Sequence, residues 1–529
     1  MKRFTYILVL LLLMPITACQ EGFLEEEVFT FQAPKDYFSN SEEVVAAANG
    51  MYDALMTWQL WVQPAWVAIC LENDDLFAND WVAGGYSGVQ NGQWYIERPW
   101  IGYYQVINRA NIVLEQVEPL DFLEPELKNA VLGQAYFMRA FSYYELARRF
   151  GDAPIRLRSY DPANDSQDAA RDPRKEVYLQ AAADFETSAA LLPTDFENGA
   201  YGVADRGRPS SPSAWGMLAK VYMHLAGAEI GDASYYPQAI TAAQKVVEQA
   251  AAGFPALESD YMANFVQSAQ DVSNEMLFSI QATQQPNEGP EIPRYYTPGN
   301  TPFSGGGGIG AISLREDFYD TFEAGDKRVE LGSAIFDQWV DLNGEQYYHF
   351  KAIPSNVVGL LSENVFDNGF GRQGNNKYQT LDGDEVFATP RLYIKKYVDE
   401  SSQVKDENGS NPVILRYADV LLLLAEAENE VNGPSSIAYD AVNQVRSRAG
   451  LADLGAAMSQ EDFRQAVRDE RRHELYGEFQ RRWDLIRWGI WLETMEAANR
   501  PRLEYQKLFP ISSEEIAANA LINTNNPGW

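Results

Sequence analysis

Cysteine is nearly absent from this chain: Cys19 and Cys70 are the only two among 529 residues. One disulfide is the most they could form, so packing must hold the fold, and a 46% hydrophobic content is ample for that. Histidine is almost as scarce. His224, His349 and His473 lie in separate segments, none at metal-ligand spacing from another histidine or from Cys70, which argues against a zinc site. No GxSxG elbow occurs, and a histidine-based triad has no support. Basic residues are outnumbered, 42 Lys and Arg against 75 Asp and Glu, for a net charge of −33. Nucleic acid needs a basic footprint, so this balance argues strongly against it as a partner. Past the N-terminus no apolar run reaches the roughly 20 residues of a membrane span. The most apolar stretch, residues 413–427, is broken by Arg416, Asp419 and Glu426 and reads as a buried helix.

What is present begins at the N-terminus. Lys2 and Arg3 precede residues 4–15, which are apolar apart from Thr5 and the closing Pro15. That run is too short to cross a bilayer and has the length and flanks of a secretory signal. It leads into Ile16-Thr17-Ala18-Cys19, which resembles the bacterial lipobox: small residues admit the signal peptidase, and the Cys19 thiol takes a diacylglycerol. The expectation is a signal peptide over residues 1–18 and a lipidated tether over 19–40. Attachment to the membrane would then rest on lipid and not on a spanning helix. With Cys19 lipidated, Cys70 has no partner for a disulfide.

Paired amphipathic helices dominate the rest. Residues 127–149 carry Leu127, Val131, Ala135, Met138, Ser142 and Leu146 near one face, and Gly151 and Pro154 then close the helix. Residues 214–225 followed by 236–251 look like a tetratricopeptide hairpin. Ala219 and Ala239 sit where two helices must approach closely, and Tyr222 fills the space between them. Residues 415–431 and 437–448 repeat the theme. Between 281 and 389 Gly, Pro, Asn and aromatic residues take over and periodicity fades, predicting long loops with a few short strands. The expected fold class is mainly α: tetratricopeptide-like helical hairpins plus a long, irregular, loop-rich region with few short strands. An N-terminal part (41–280) and a C-terminal part (281–529) pack as one compact unit.

Three blocks carry a resemblance. The first is Arg416-Tyr417-Ala418-Asp419 running into the apolar 420–427. The second is Arg468-Asp469-Glu470-Arg471-Arg472-His473-Glu474-Leu475, continuing through Gly477-Glu478 to Arg481-Arg482-Trp483-Asp484-Leu485-Ile486-Arg487-Trp488. The third is Leu508-Phe509-Pro510-Ile511 with the ending Asn525-Asn526-Pro527-Gly528-Trp529. By their order and spacing the chain resembles the SusD/RagB family of Bacteroidetes outer-membrane lipoproteins; Trp529 stands where Tyr is more usual. The resemblance implies a SusD-like fold that captures oligosaccharide at the cell surface, as a lid over a SusC-like TonB-dependent transporter. It implies neither enzyme activity nor a cofactor or metal. Peptide capture of the RagB type, a protein-binding tetratricopeptide-type adaptor, and a lipid-anchored glycosidase working through a carboxylate pair are the alternatives. Glu21 and Glu25 to Glu27, just behind Cys19, resemble the export signal of lipoproteins facing the cell exterior.

The second block itself reads as scaffold. Arg471 and Glu474, Arg481 and Asp484, and Asp484 and Arg487 are each three apart, the spacing of helix-surface neighbours that either pair or bridge to adjacent helices as a buried arginine-carboxylate network. Gly305, Gly307 and Gly310 satisfy GxGxxG, but no apolar strand leads into them, so a turned loop is expected. Asp74-Asp75 and Asp382-Gly383-Asp384-Glu385 lack the full spacing of a calcium loop.

A sugar ring needs a flat apolar face, and its hydroxyls need short polar side chains. Residues 73–94 interleave these: Asn79, Asp80, Trp81, Tyr86 and Trp94 lie among Gly84, Gly85, Gly88 and Gly92. Within the resemblance, the loop after the first helices often contributes a tryptophan to the ligand site, and Trp81 matches by position. Trp81 is either that ring or a plug against the helices; Trp94 is expected to be a plug. Tyr295 and Tyr296 are the second candidate platform. Trp58, Trp61 and Trp66 are expected in the core.

Overall fold

The computed structural model describes residues 37–78, 89–161, 165–166, 168–195, 205–284, 289–297, 309–329, 335–341, 346–349, 357–366, 373–380, 385–398 and 409–529. Ten longer helices and a seven-residue one organise it. They are α1 (Ser41–Asp53), α2 (Pro64–Leu71), α3 (Trp94–Val117), α4 (Pro125–Phe150), α5 (Arg174–Leu191), α6 (Ser211–Ala226), α7 (Tyr236–Ala251), α8 (Tyr417–Asn432), α9 (Ser436–Arg448), α10 (Gln460–Leu475) and α11 (Arg481–Arg487). Each of α3 to α8 packs on the next, and α8 also packs on α9 and α10, giving the expected stack of hairpins. Burial explains the order. Helix α4 is buried along 130–150 except at half-buried Tyr136, sheathed by its neighbours, and α8 is buried from Tyr417 to Asn429. No helix among the described residues is long and apolar enough to cross a membrane.

Strands β1 (Leu76–Ala78), β2 (Met276–Ser279), β3 (Ile312–Leu314), β4 (Ile335–Asp341), β5 (Gln346–His349), β6 (Val357–Phe366), β7 (Gln373–Thr380), β8 (Glu385–Ile394) and β9 (Val413–Arg416) complete the fold. Seven of them form one antiparallel sheet: β1 pairs with β3, β3 with β8, and β8 with both β4 and β7. β2 and β9 pair separately, Met276 opposite Arg416, and so tie the 41–280 part to the C-terminal part.

Buried charge holds the C-terminal blocks in register. Arg416 donates to Glu275 at 2.7 Å and to Glu478 at 2.8 Å; Glu474 takes bonds from Arg416, Arg448 and Arg328. Arg471 reaches Asp419 at 2.9 Å and Asp484 at 3.2 Å. Of the three same-helix pairs the spacing predicts, only Arg487–Asp484, at 2.8 Å, forms. Arg471 and Glu474 turn instead to acids and bases on other elements, because buried guanidiniums need several acceptors and one helix cannot supply them.

Candidate functional site

Segment 72–78, between α2 and the 79–88 stretch, is fastened on every side. The Asn73 side-chain oxygen accepts from the Asp75 and Leu76 amides at 3.0 and 3.1 Å, turning the chain sharply. Arg500 donates to the Asn73 and Leu76 carbonyls, and Trp491 Nε1 to the Glu72 carbonyl at 2.9 Å. The Glu72 carboxylate is held by Arg502 at 3.0 Å. Asp74 receives Arg481 at 2.8 Å and Arg472 at 3.0 Å, and Asp75 receives Arg472 at 2.6 Å. Burial opposes ionisation of Asp74, but Arg481 and Arg472 outweigh it and hold its carboxyl below the usual range. At Asp75 burial dominates, Asp74 adds repulsion, and the carboxyl is pushed up. These two acids serve as anchors to α10 and α11. Among the described residues no cluster of His, Cys, Asp and Glu could hold a metal ion.

The stem then enters β1, whose Ala78 pairs with Ile312 of β3. The chain therefore leaves toward 79–88 at the same strand end where it arrives from 301–308. Residues 292–297 join them: the Ile309 amide donates to the Arg294 carbonyl at 2.8 Å and the Gly310 amide to Thr297 at 2.7 Å. The Glu291 amide donates to the Val62 carbonyl at 2.9 Å, adding segment 57–63. Gly102 lets that segment lie on α3, since a Cβ there would stand 2.5 Å from Leu60 Cγ. The stem of the 73–94 stretch and the region of 295–296, both singled out in the sequence, thus converge.

Their tyrosines do not line a surface. Tyr296 is fully buried, its hydroxyl 3.3 Å from Cys70 Sγ and 3.3 Å from the Gly477 carbonyl. Tyr295 is buried edge-on against Trp66, its ring 5.2 Å away, and its hydroxyl accepts from Gln63 Nε2. Neither ring offers a face for stacking, which corrects their reading as a platform. Burial also pushes the Cys70 thiol up to about 12, so it is inert. Trp61 and Trp66 are core, as expected. Trp81, Asn79, Asp80 and Tyr86 lie outside the described residues, as do Cys19, Gly305, Gly307 and the 382–384 acids.

The structure does show a platform at the foot of the 79–88 stretch. Trp94, first residue of α3, is 41% exposed and does not plug the core. Its ring lies 6.4 Å from half-buried Trp58 and 5.7 Å from Tyr95, and the Arg98 guanidinium sits 4.9 Å over it. Arg98 also donates to the Trp58 carbonyl at 3.3 Å, fixing the ledge. A partly exposed indole braced by a guanidinium over its ring suits a sugar ring and its hydroxyls.

A stack of helical hairpins thus carries a fixed aromatic ledge beside arginine-anchored carboxylates. The chain belongs to the SusD/RagB family: residues 268–529 match the model of the SusD family, and residues 26–223 match one described as starch-binding associating with outer membrane. SusD-like protein P2 of Formosa agariphila is 26% identical, with 100% of both chains covered. A SusD homolog from Bacteroides thetaiotaomicron shares the fold with a TM-score of 0.75 at 24% identity, over 94% of this chain and 98% of that one. A laminarin-binding SusD-like protein superposes with a TM-score of 0.66 at 21% identity, over 93% and 100% of the two chains.

Proposed function

We propose that this chain captures oligosaccharides outside the cell and delivers them to a SusC-like TonB-dependent transporter in the outer membrane, to which a lipid on Cys19 tethers it. The observation that carries the reading is the exposed Trp94–Trp58–Arg98 ledge at the base of the stretch holding Trp81, Asn79, Asp80 and Tyr86. Trp81 and Trp94 supply ring faces, while Asn79, Asp80 and Tyr86 supply hydrogen bonds to hydroxyls. Membership in a family of carbohydrate-binding proteins supports the same chemistry. No step requires a proton transfer or a metal, since capture and release suffice for uptake.

The experiment replaces Cys19 with Ala in the source cells. The variant should leave the outer-membrane fraction, and uptake of labelled oligosaccharide should fall at least tenfold. Retention in the membrane, or unchanged uptake, would contradict the anchored capture role.

A further inference from the structure

The exposed face of α3 does not end at Trp94. At 100° per residue, Trp94, Ile101, Gln105, Asn108 and Ile112 fall within about 60° of one another and form one stripe along the helix. From Trp94 to Asn108 it runs about 21 Å at 1.5 Å per residue. Ile101, Tyr104, Gln105 and Asn108 form one wall of a groove of about 1260 Å3, with 155–160 opposite and Glu515, Ala518 and Asn519 closing it.

We propose that this groove is a second, extended subsite that takes the continuation of a neutral oligosaccharide held at the Trp94 ledge; the inference rests on the capture reading above. The polar groups left over in the groove are uncharged. Gln105 is exposed, and its side chain makes no hydrogen bond among the described residues. Asn108 spends only its side-chain oxygen, accepting the Tyr160 amide at 2.8 Å, and keeps its two N–H donors; the Tyr160 hydroxyl is equally unpartnered among the described residues. The charged groups are already engaged. Arg109 pairs with Asp53 at 2.7 Å and Arg158 with Asp165 at 2.6 Å, while Glu515 accepts from Asn519 at 2.8 Å. Donors and acceptors without net charge, beside the phenol rings of Tyr104 and Tyr160, match sugar hydroxyls and ring faces.

The test is calorimetry on the mature chain with neutral glucan, mannan, xylan and galactan oligosaccharides of two to eight units, and a mixed peptide pool. Wild type should bind one series, the longest members at least tenfold tighter than the shortest. Gln105→Ala combined with Tyr160→Ala, both outside the core, should abolish that length gain while leaving the shortest binders unchanged; Gln105→Ala alone guards against misfolding. Trp94→Ala should weaken every length. Wild-type length dependence in both groove variants would overturn the groove while leaving capture intact. Peptide binding that the groove variants lose would overturn the sugar assignment. Silence across all sugars would sink the capture reading and the groove together.

Discussion

Arg481 grips Asp74 with two parallel hydrogen bonds, Nε to Oδ1 at 2.8 Å and Nη2 to Oδ2 at 2.9 Å, across 407 residues of sequence. The pair is nearly buried, and Arg472 adds a third contact to the same carboxylate at 3.0 Å. It fixes the stem that leads into residues 79–88 to the C-terminal helices.

Asp74→Asn should therefore act twice. Leaving two guanidiniums short of a buried counter-charge should cost about 3 kcal/mol of stability. At a temperature where the variant is folded, oligosaccharide affinity should also drop several-fold. Thermal unfolding and calorimetry together check this; full affinity in a folded variant would show that the latch does not position the site.

Trp94→Ala and Trp81→Ala should each weaken oligosaccharide binding about tenfold, since losing one stacking ring forfeits on the order of 1–2 kcal/mol. For Trp94, 41% exposed, the melting temperature should barely move. Unchanged affinity in either folded variant would remove that ring from the site.

Tyr296→Ala should behave in the opposite way. Deleting a fully buried ring should destabilise the protein by about 3–5 kcal/mol, and Tyr296→Phe should leave oligosaccharide affinity unchanged. A folded Tyr296→Phe variant with much weaker binding would restore the tyrosine to the ligand surface.

Acidification should destabilise the fold through His473. Burial first, then Arg328, Arg472, Arg481 and Arg446, lower its imidazole to about 3, while the unfolded chain titrates near 6.5. Between those values the unfolded state binds the extra proton. Stability is therefore complete above pH 6.5 and falls as pH drops toward 3. From pH 7 to 5 the loss from this group should be about 2 kcal/mol. The ring packs on Phe322, 4.4 Å away, and Thr321 Oγ1 lies 2.9 Å from Nε2, so His473→Gln should lower stability at pH 7 but flatten the slope, as denaturation midpoints at both pH values would show.

Helical hairpins were legible because apolar periodicity and helix-ending glycines are local signals. Tyr236–Ala251 begins and ends where its pattern does, and Gly151 follows Phe150 as the stop. The long strands were not. Gln373–Thr380 reads QGNNKYQT, with no alternation of apolar and polar residues, so nothing marks it as a strand until it pairs with its neighbours. Ion pairs were legible as a bridging arginine-carboxylate network but not partner by partner: spacing sees Asp484 three residues from Arg481, whereas the fold brings Asp74 to it from the far end of the chain. Tyr295 and Tyr296 sit in a loop-like stretch, yet Ile292–Tyr296 folds into a short helix laid on 62–70. Trp94 had the reverse fate: Ile96 in the same first turn of α3 is buried, but Trp94 lies on the face of the helix that carries exposed Gln105.

The central claim is capture of sugar, and calorimetric titration of soluble residues 20–529 tests it most directly. The titrants would be plant, fungal and bacterial oligosaccharides together with a mixed peptide pool. Saturable heat with one glycan class, weakened by Trp94→Ala, is the result predicted. Heat from the peptides and none from any sugar would contradict it and assign the protein to peptide capture.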